Sequence, residues 1–95
     1  MARPQADSHK QIETERVIVT EWHFPPGGET GWHEHQYDYV VVPLVTGTLL
    51  LETEDGEKAA DLKMGQSYNR NVGVRHNVIN ANSFDFRFIE IELKP

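Results

Sequence analysis

The sequence predicts an all-β protein, a single small sandwich or barrel. Three observations lead there. The apolar residues fall in short runs rich in Val, Ile, Thr and aromatic side chains, which suit a pleated, half-buried surface. Turn signals interrupt these runs at short, regular intervals. No stretch keeps a helical period beyond two turns, and no internal repeat or low-complexity segment is present. At 95 residues the chain makes one domain, near the small end of what buries a core unaided.

Residues 1–10 are polar and carry Pro4, and read as an extended N-terminal arm; residues 11–95 form the domain. Arg16 to Phe24 is the first strong β run, stopped by Pro25-Pro26-Gly27-Gly28. After the stretch His33-Glu34-His35, a second run covers Tyr37 to Val45. Pro43 inside it implies a bulge or a local sheet edge, since proline cannot donate to a ladder. Thr46-Gly47 turns into Thr48–Thr53, and Asp55-Gly56 is a hairpin signal that returns the chain through Lys58–Leu62. Met64-Gly65 turns, Ser67–Arg70 extends, Asn71-Val72-Gly73 turns again, and Arg75–Asn80 leads to the last strand. That strand changes phase: Phe84, Phe86 and Phe88 share one parity, Ile89, Ile91 and Leu93 the other. Either a bulge lies near Phe88-Ile89 or the second half is buried by a partner.

Composition excludes several classes. There is no cysteine, hence no disulfide framework and no thiolate metal site. A formal charge of −6 with scattered basic residues argues against a nucleic-acid partner. No segment approaches the roughly 18 to 20 apolar residues of a membrane helix. The first residues lack the apolar stretch of a secretory signal, so a cytoplasmic protein is expected.

The chemistry points to the histidines. Alternate residues of a strand face one side, so His33 and His35 can present both imidazoles to the same surface. His76 arrives from a later segment rich in turn-forming glycine. Singly, each reads as an ordinary core or surface histidine. Gathered inside a β-structure, the three make a site for a divalent transition metal with open coordination positions. His9 and His23 read as non-ligands, and Arg75, adjoining His76, should point away. Trp22, Trp32, Phe84, Phe86 and Phe88 read as core or interface residues. No Ser-His-Asp set, phosphate loop or paired-carboxylate motif competes.

Two motifs carry a family resemblance. Gly27-x5-His33-x-His35, continuing to Gly47, and Gly65-x5-Asn71-x-Gly73-x2-His76-x3-Asn80 resemble the paired motifs of the cupin superfamily, RmlC-like jelly-roll β-barrels. Eight of ten motif positions match; Val40 stands where the first motif has glutamate, and Asn71 replaces a proline. The resemblance implies a single cupin jelly-roll β-barrel. The stretch from Glu29 to Leu44 and that from His76 to Asn82 also look like short cupins associated with β-alanine degradation. The family also implies a homodimer, with the N-terminal arm crossing to the neighbour.

The missing glutamate leaves the centre with three neutral ligands, or with one borrowed oxygen. Asp38 shares parity with Val40 and is the candidate fourth ligand, its alternative being a solvated carboxylate at the barrel mouth. Tyr37 and Tyr39 have the opposite parity, so only one of the two sets can face the metal. A three-histidine ion keeps its full charge for an anionic, chelating substrate. Tyr68 and Arg70 share a face, and Arg70 suits a substrate carboxylate, or else an ion pair. Asn80 shares parity with His76, though the family role is structural. Similar three-histidine cupins include ferrous dioxygenases, so Fe(II) leads, with Zn, Ni, Mn and Cu open. The expected function is a metalloenzyme, dioxygenase-like, acting on a small organic acid. The alternative is a non-catalytic binding or accessory cupin with structural metal or none.

Overall fold

A computed structural model of the chain describes residues 2–95. Every regular element among them is a strand, so none is a helix able to cross a membrane. The strands are β1 (Asp7–Glu13), β2 (Val17–Phe24), β3 (His33–Glu34), β4 (Asp38–Pro43), β5 (Gly47–Thr53), β6 (Gly56–Leu62), β7 (Tyr68–Arg70), β8 (Arg75–Asn80) and β9 (Phe86–Leu93). They form a five-stranded sheet in the order β1-β2-β9-β4-β7 and a four-stranded sheet in the order β3-β8-β5-β6. All pairings between named strands are antiparallel. The two inner faces enclose a core centred on Phe24, Phe86, Phe88, Val41, Leu49 and Val78. The expectation of an all-β barrel holds.

The expected arm is part of the sheet. Its boundary at residue 10 falls within β1, which pairs with β2 of the same chain. Just before it, the Ala6 N–H donates to the Glu29 carbonyl and the Glu29 N–H to that of Pro4, at 2.8 and 2.9 Å. Pro43 is the last residue of β4. On that side β7 pairs only with Tyr39 to Val41, so the absent N–H costs no ladder bond. Of the two readings, the sheet edge is the right one. Gly47 is required by close approach: a Cβ there would stand 2.9 Å from the Asn82 side-chain oxygen. That amide is fixed, accepting from the Thr48 N–H at 3.0 Å and donating to the Thr48 carbonyl at 2.9 Å.

The phase change in the last strand has a definite origin. β9 pairs in unbroken register with β2 from Phe86 to Leu93 and with β4 from Phe88 to Leu93, so no bulge intervenes. The inward parity set by Phe86 and Phe88 continues as Glu90 and Glu92, and the apolar Ile89, Ile91 and Leu93 face outward. The row through Ile91 is apolar throughout: Ile12, Val19, Ile91 and Val40 lie side by side across four strands. Of the expected core aromatics, Phe86 and Phe88 are buried, but Trp32 and Phe84 are exposed. Trp32 lies beneath the guanidinium of Arg75, 5.0 Å away, so an exposed ring is partly covered by a cation.

A row of β-branched and aliphatic side chains on an outer sheet face gains from cover, each Ile or Leu contributing roughly 1.5 to 3 kcal/mol on full burial. A second copy of the chain is the expected cover. Wild-type protein should sediment as a dimer at micromolar concentration, and the Ile91→Lys/Leu93→Lys protein as a monomer or as insoluble material. Monomeric wild type would rule this out.

Candidate metal centre

His33 and His76 are direct cross-strand partners in the β3–β8 ladder, which places the two imidazoles side by side on the inner face. β3 ends at Glu34, so His35 lies just beyond the strand. It is nevertheless anchored, its N–H donating to the Val74 carbonyl at 2.8 Å and its carbonyl accepting from the Gly73 N–H at 2.9 Å. Gly73, at φ 95°, allows that turn. The Nε2 atoms converge: His35 lies 3.1 Å from His33 and 3.1 Å from His76.

The donor set suits a cation. The Nδ1 of His33 sits 2.8 Å from the Gly31 carbonyl, which can only accept, so Nδ1 carries the hydrogen and Nε2 the lone pair. Burial first, then the neighbouring imidazoles, lowers His35 to about 3. Burial, with the His33 and Arg70 charges, lowers His76 to about 4. Both rings are thus neutral at physiological pH and able to ligate. Ring nitrogens 3.1 Å apart are spaced like adjacent ligands on one ion with bonds of about 2.0–2.1 Å. The three histidines could hold one divalent ion.

A second layer keeps His33 in place. The Gly31 N–H donates to the Asn77 Oδ1 at 2.9 Å. The Asn77 amide in turn donates to Glu29 at 2.9 Å and Glu52 at 2.8 Å. Arg3 closes this cluster on Glu29 at 3.2 Å. Asn77 and then Arg3 hold the Glu29 carboxyl below its usual range, against the opposing effect of burial.

The histidines border a cavity of about 570 Å³, within the usual range for small ligands. Tyr68 and Arg70 both line it, with Lys58 and Lys63, as does the apolar wall of Leu51 and Phe88. The Arg70 guanidinium lies over the Tyr68 ring at 4.7 Å. Among the described residues it pairs with no carboxylate, its one polar contact being the Asn69 carbonyl at 2.8 Å. Asn80 is elsewhere. It is buried among backbone groups, donating to the carbonyls of Pro25 at 3.1 Å and Phe84 at 2.8 Å, and is structural.

Asp38 is not brought to the cluster. It is exposed, and its Oδ1 accepts from the Val72 N–H at 2.8 Å. The parity choice falls the other way: Tyr39 faces in, and Asp38 and Val40 face out. Tyr39 stacks on His35 with ring centroids 3.8 Å apart, and its buried hydroxyl has no hydrogen-bond partner. Burial raises its pKa, keeping the phenol protonated. Glu90 and Glu92 also face inward, close to His35, and neither was expected there. Burial and then Glu92 push Glu90 up to about 7, against a hydrogen bond from Trp22. The signal was the parity of Phe86 and Phe88, carried two residues further. His23 and Arg75 stay outside as expected, His23 against Asp85 at 2.9 Å and Arg75 against Glu54 at 3.6 Å.

Two outcomes follow. Alanine at His33, His35 or His76 should each remove most bound metal, and alanine at His9 or His23 none; full occupancy in His76→Ala protein would refute the assignment. The second concerns metal-free protein. The raised pKa of Glu90 makes folded protein bind the extra proton, so its neutral form is fully compatible with folding below about pH 4.5, and stability is lost as pH rises through about 7. Glu90→Gln lacks that loss. Its melting temperature should match wild type near pH 4.5 and exceed it increasingly up to about pH 7; a difference independent of pH would contradict this.

Comparison with known proteins agrees with the geometry. A family model described as a cupin domain matches residues 20–92. The β-alanine degradation protein BauB of Pseudomonas aeruginosa is 56% identical over 92 residues, covering 97% of each chain. A cupin domain from Bordetella pertussis Tohama I, solved by crystallography, is 59% identical with a TM-score of 0.99, covering 100% of this chain and 99% of that one. An RmlC-like cupin with a double-stranded β-helix fold from Methanocaldococcus jannaschii is 20% identical, with a TM-score of 0.79 over 95% of this chain and 81% of that one, a likeness of fold. With its two motifs meeting at three convergent imidazoles inside a two-sheet barrel, the chain belongs to the cupin family.

Proposed function

We propose that the chain is a metal-dependent enzyme acting on a small organic acid in β-alanine breakdown. The observation that carries the reading is the convergence of three imidazoles at one wall of a cavity that also holds an unpaired arginine. The name of the Pseudomonas relative supplies the metabolic setting. β-Alanine, and the acids formed when it loses its amine, are short carboxylates that the cavity can enclose.

His33, His35 and His76 would hold the ion, with Fe(II) favoured. When bound, it supplies a Lewis acid and, as ferrous iron, access to oxygen chemistry. The other roles belong to the chain. Arg70, with Lys58 and Lys63 also lining the cavity, draws in an anion, and Arg70 offers the planar fork that binds a carboxylate in two places. Leu51 and Phe88 exclude water and strengthen that attraction. The Tyr39 hydroxyl, protonated and unpartnered, is a ready hydrogen-bond donor to a substrate oxygen near His35.

The test is metal analysis of protein purified anaerobically without added metal, followed by product analysis and oxygen uptake with a panel of short 3-amino and 3-oxo acids. Near-stoichiometric iron with turnover of at least one acid is expected. Full metal occupancy without turnover would favour a binding or accessory protein. Arg70→Ala should raise KM for the acid about tenfold or more, the size of a lost charge-assisted contact, with metal content unchanged. An unaltered KM would remove Arg70 from the substrate site.

A further inference from the structure

β9 brings two carboxylates from the opposite sheet to His35, the imidazole they share with the three-histidine group. The ligand atoms of His35, Glu90 and Glu92 all lie within 4.8 Å of one another. Glu90 is 9% exposed, and among the described residues neither acid pairs with a lysine or arginine. Elsewhere near the site the acids are provided for: Glu29 and Glu52 share Arg3 and Asn77. Burying a carboxylate without a countercharge is unfavourable, so the inward face of β9 calls for a cation.

Independent features mark the place. Tyr39, 3% exposed, keeps its hydroxyl without a partner and covers the His35 ring. In register it lies beside Glu92, and its neighbour Val41 beside Glu90. Tyr39 thus fills the inward space next to His35 on β4. A carboxylate from β4 is therefore absent, and the adjacent strand offers one. Glu90 also lines both the large cavity and a smaller one of about 250 Å³ that includes His33 and His35.

We propose that Glu90 is the carboxylate ligand of the metal centre, supplied from β9 in place of the acid missing from the first motif. The proposal rests on the three-histidine reading above. One carboxylate reduces a divalent centre to a single net positive charge, suited to one further anionic group. Glu90 reaches inward from a central strand held on both sides, a firmer support than a loop.

The experiment titrates metal-free, full-length protein with Co²⁺, reading affinity by calorimetry and the ligand set by visible absorption. Glu90→Gln should weaken Co²⁺ binding about tenfold or more and change the absorption bands, while Glu34→Gln, an exposed acid, changes neither. Glu90→Asp, which keeps the charge but shortens its reach, provides a second variant should Gln not fold, and is also expected to bind more weakly with altered bands. Wild-type affinity and spectrum in both Glu90 variants would overturn the proposal, as would a loss confined to Glu92→Gln. If wild type itself takes up no Co²⁺, the three-histidine reading fails as well.

Discussion

The centre depends on the register of β8. This strand lies between β3 and β5 and is buried at five of its six positions. Its pairing sets His76 against His33 on one side and against Thr53 on the other. A slip of one residue would turn His76 out of the barrel and Asn77 into it. The register is held by unlike contacts along the strand. Asn77 ties it to Glu29, Glu52 and Gly31, and Thr30 exchanges bonds with Val78. Asn80 joins its end to the Pro25 and Phe84 carbonyls. Polar side chains that would be costly if left unmatched thereby specify one alignment.

Each sheet contributes different chemistry. The four-stranded sheet holds His33 and His76, with His35 just past the end of β3. The five-stranded sheet provides Trp22, Tyr39 and Glu90 facing them. The inner surface therefore carries the imidazole nitrogens on one wall and an indole, a phenol and a carboxyl group on the other. Buried ionisable groups of this kind lower stability in a chain of 95 residues, whose core is modest. Such costs are tolerated where they serve a site.

Much of this was legible in the sequence. Short β runs, Asp55-Gly56 and the two glycine-histidine motifs were enough for the fold and the three imidazoles, because spacing in strands translates directly into facing. The parity argument for Tyr37, Asp38, Tyr39 and Val40 was sound in form, yet could not choose a side. That choice rests on the cross-strand neighbours of β4, which spacing along one strand does not contain. Glu90 was overlooked for a related reason. Ile89, Ile91 and Leu93 read as the face a barrel would bury, whereas the paired strand is apolar on its outside and acidic within. Asp38 shares parity only with the outward-facing Val40, and Asn80, although in phase with His76, spends its side-chain N–H groups on backbone carbonyls.

The outward direction of Val40 has a consequence for how this centre can change. Introducing glutamate at Val40, the position that the motif alignment singles out, would place an acid on the outer apolar row beside Ile91. The motif's carboxylate is therefore not one substitution away in any useful sense. The inward neighbour is Tyr39, and replacing it would remove the ring that covers His35. The arrangement is held by its own packing, since an acid brought in on β4 would displace the ring that positions His35.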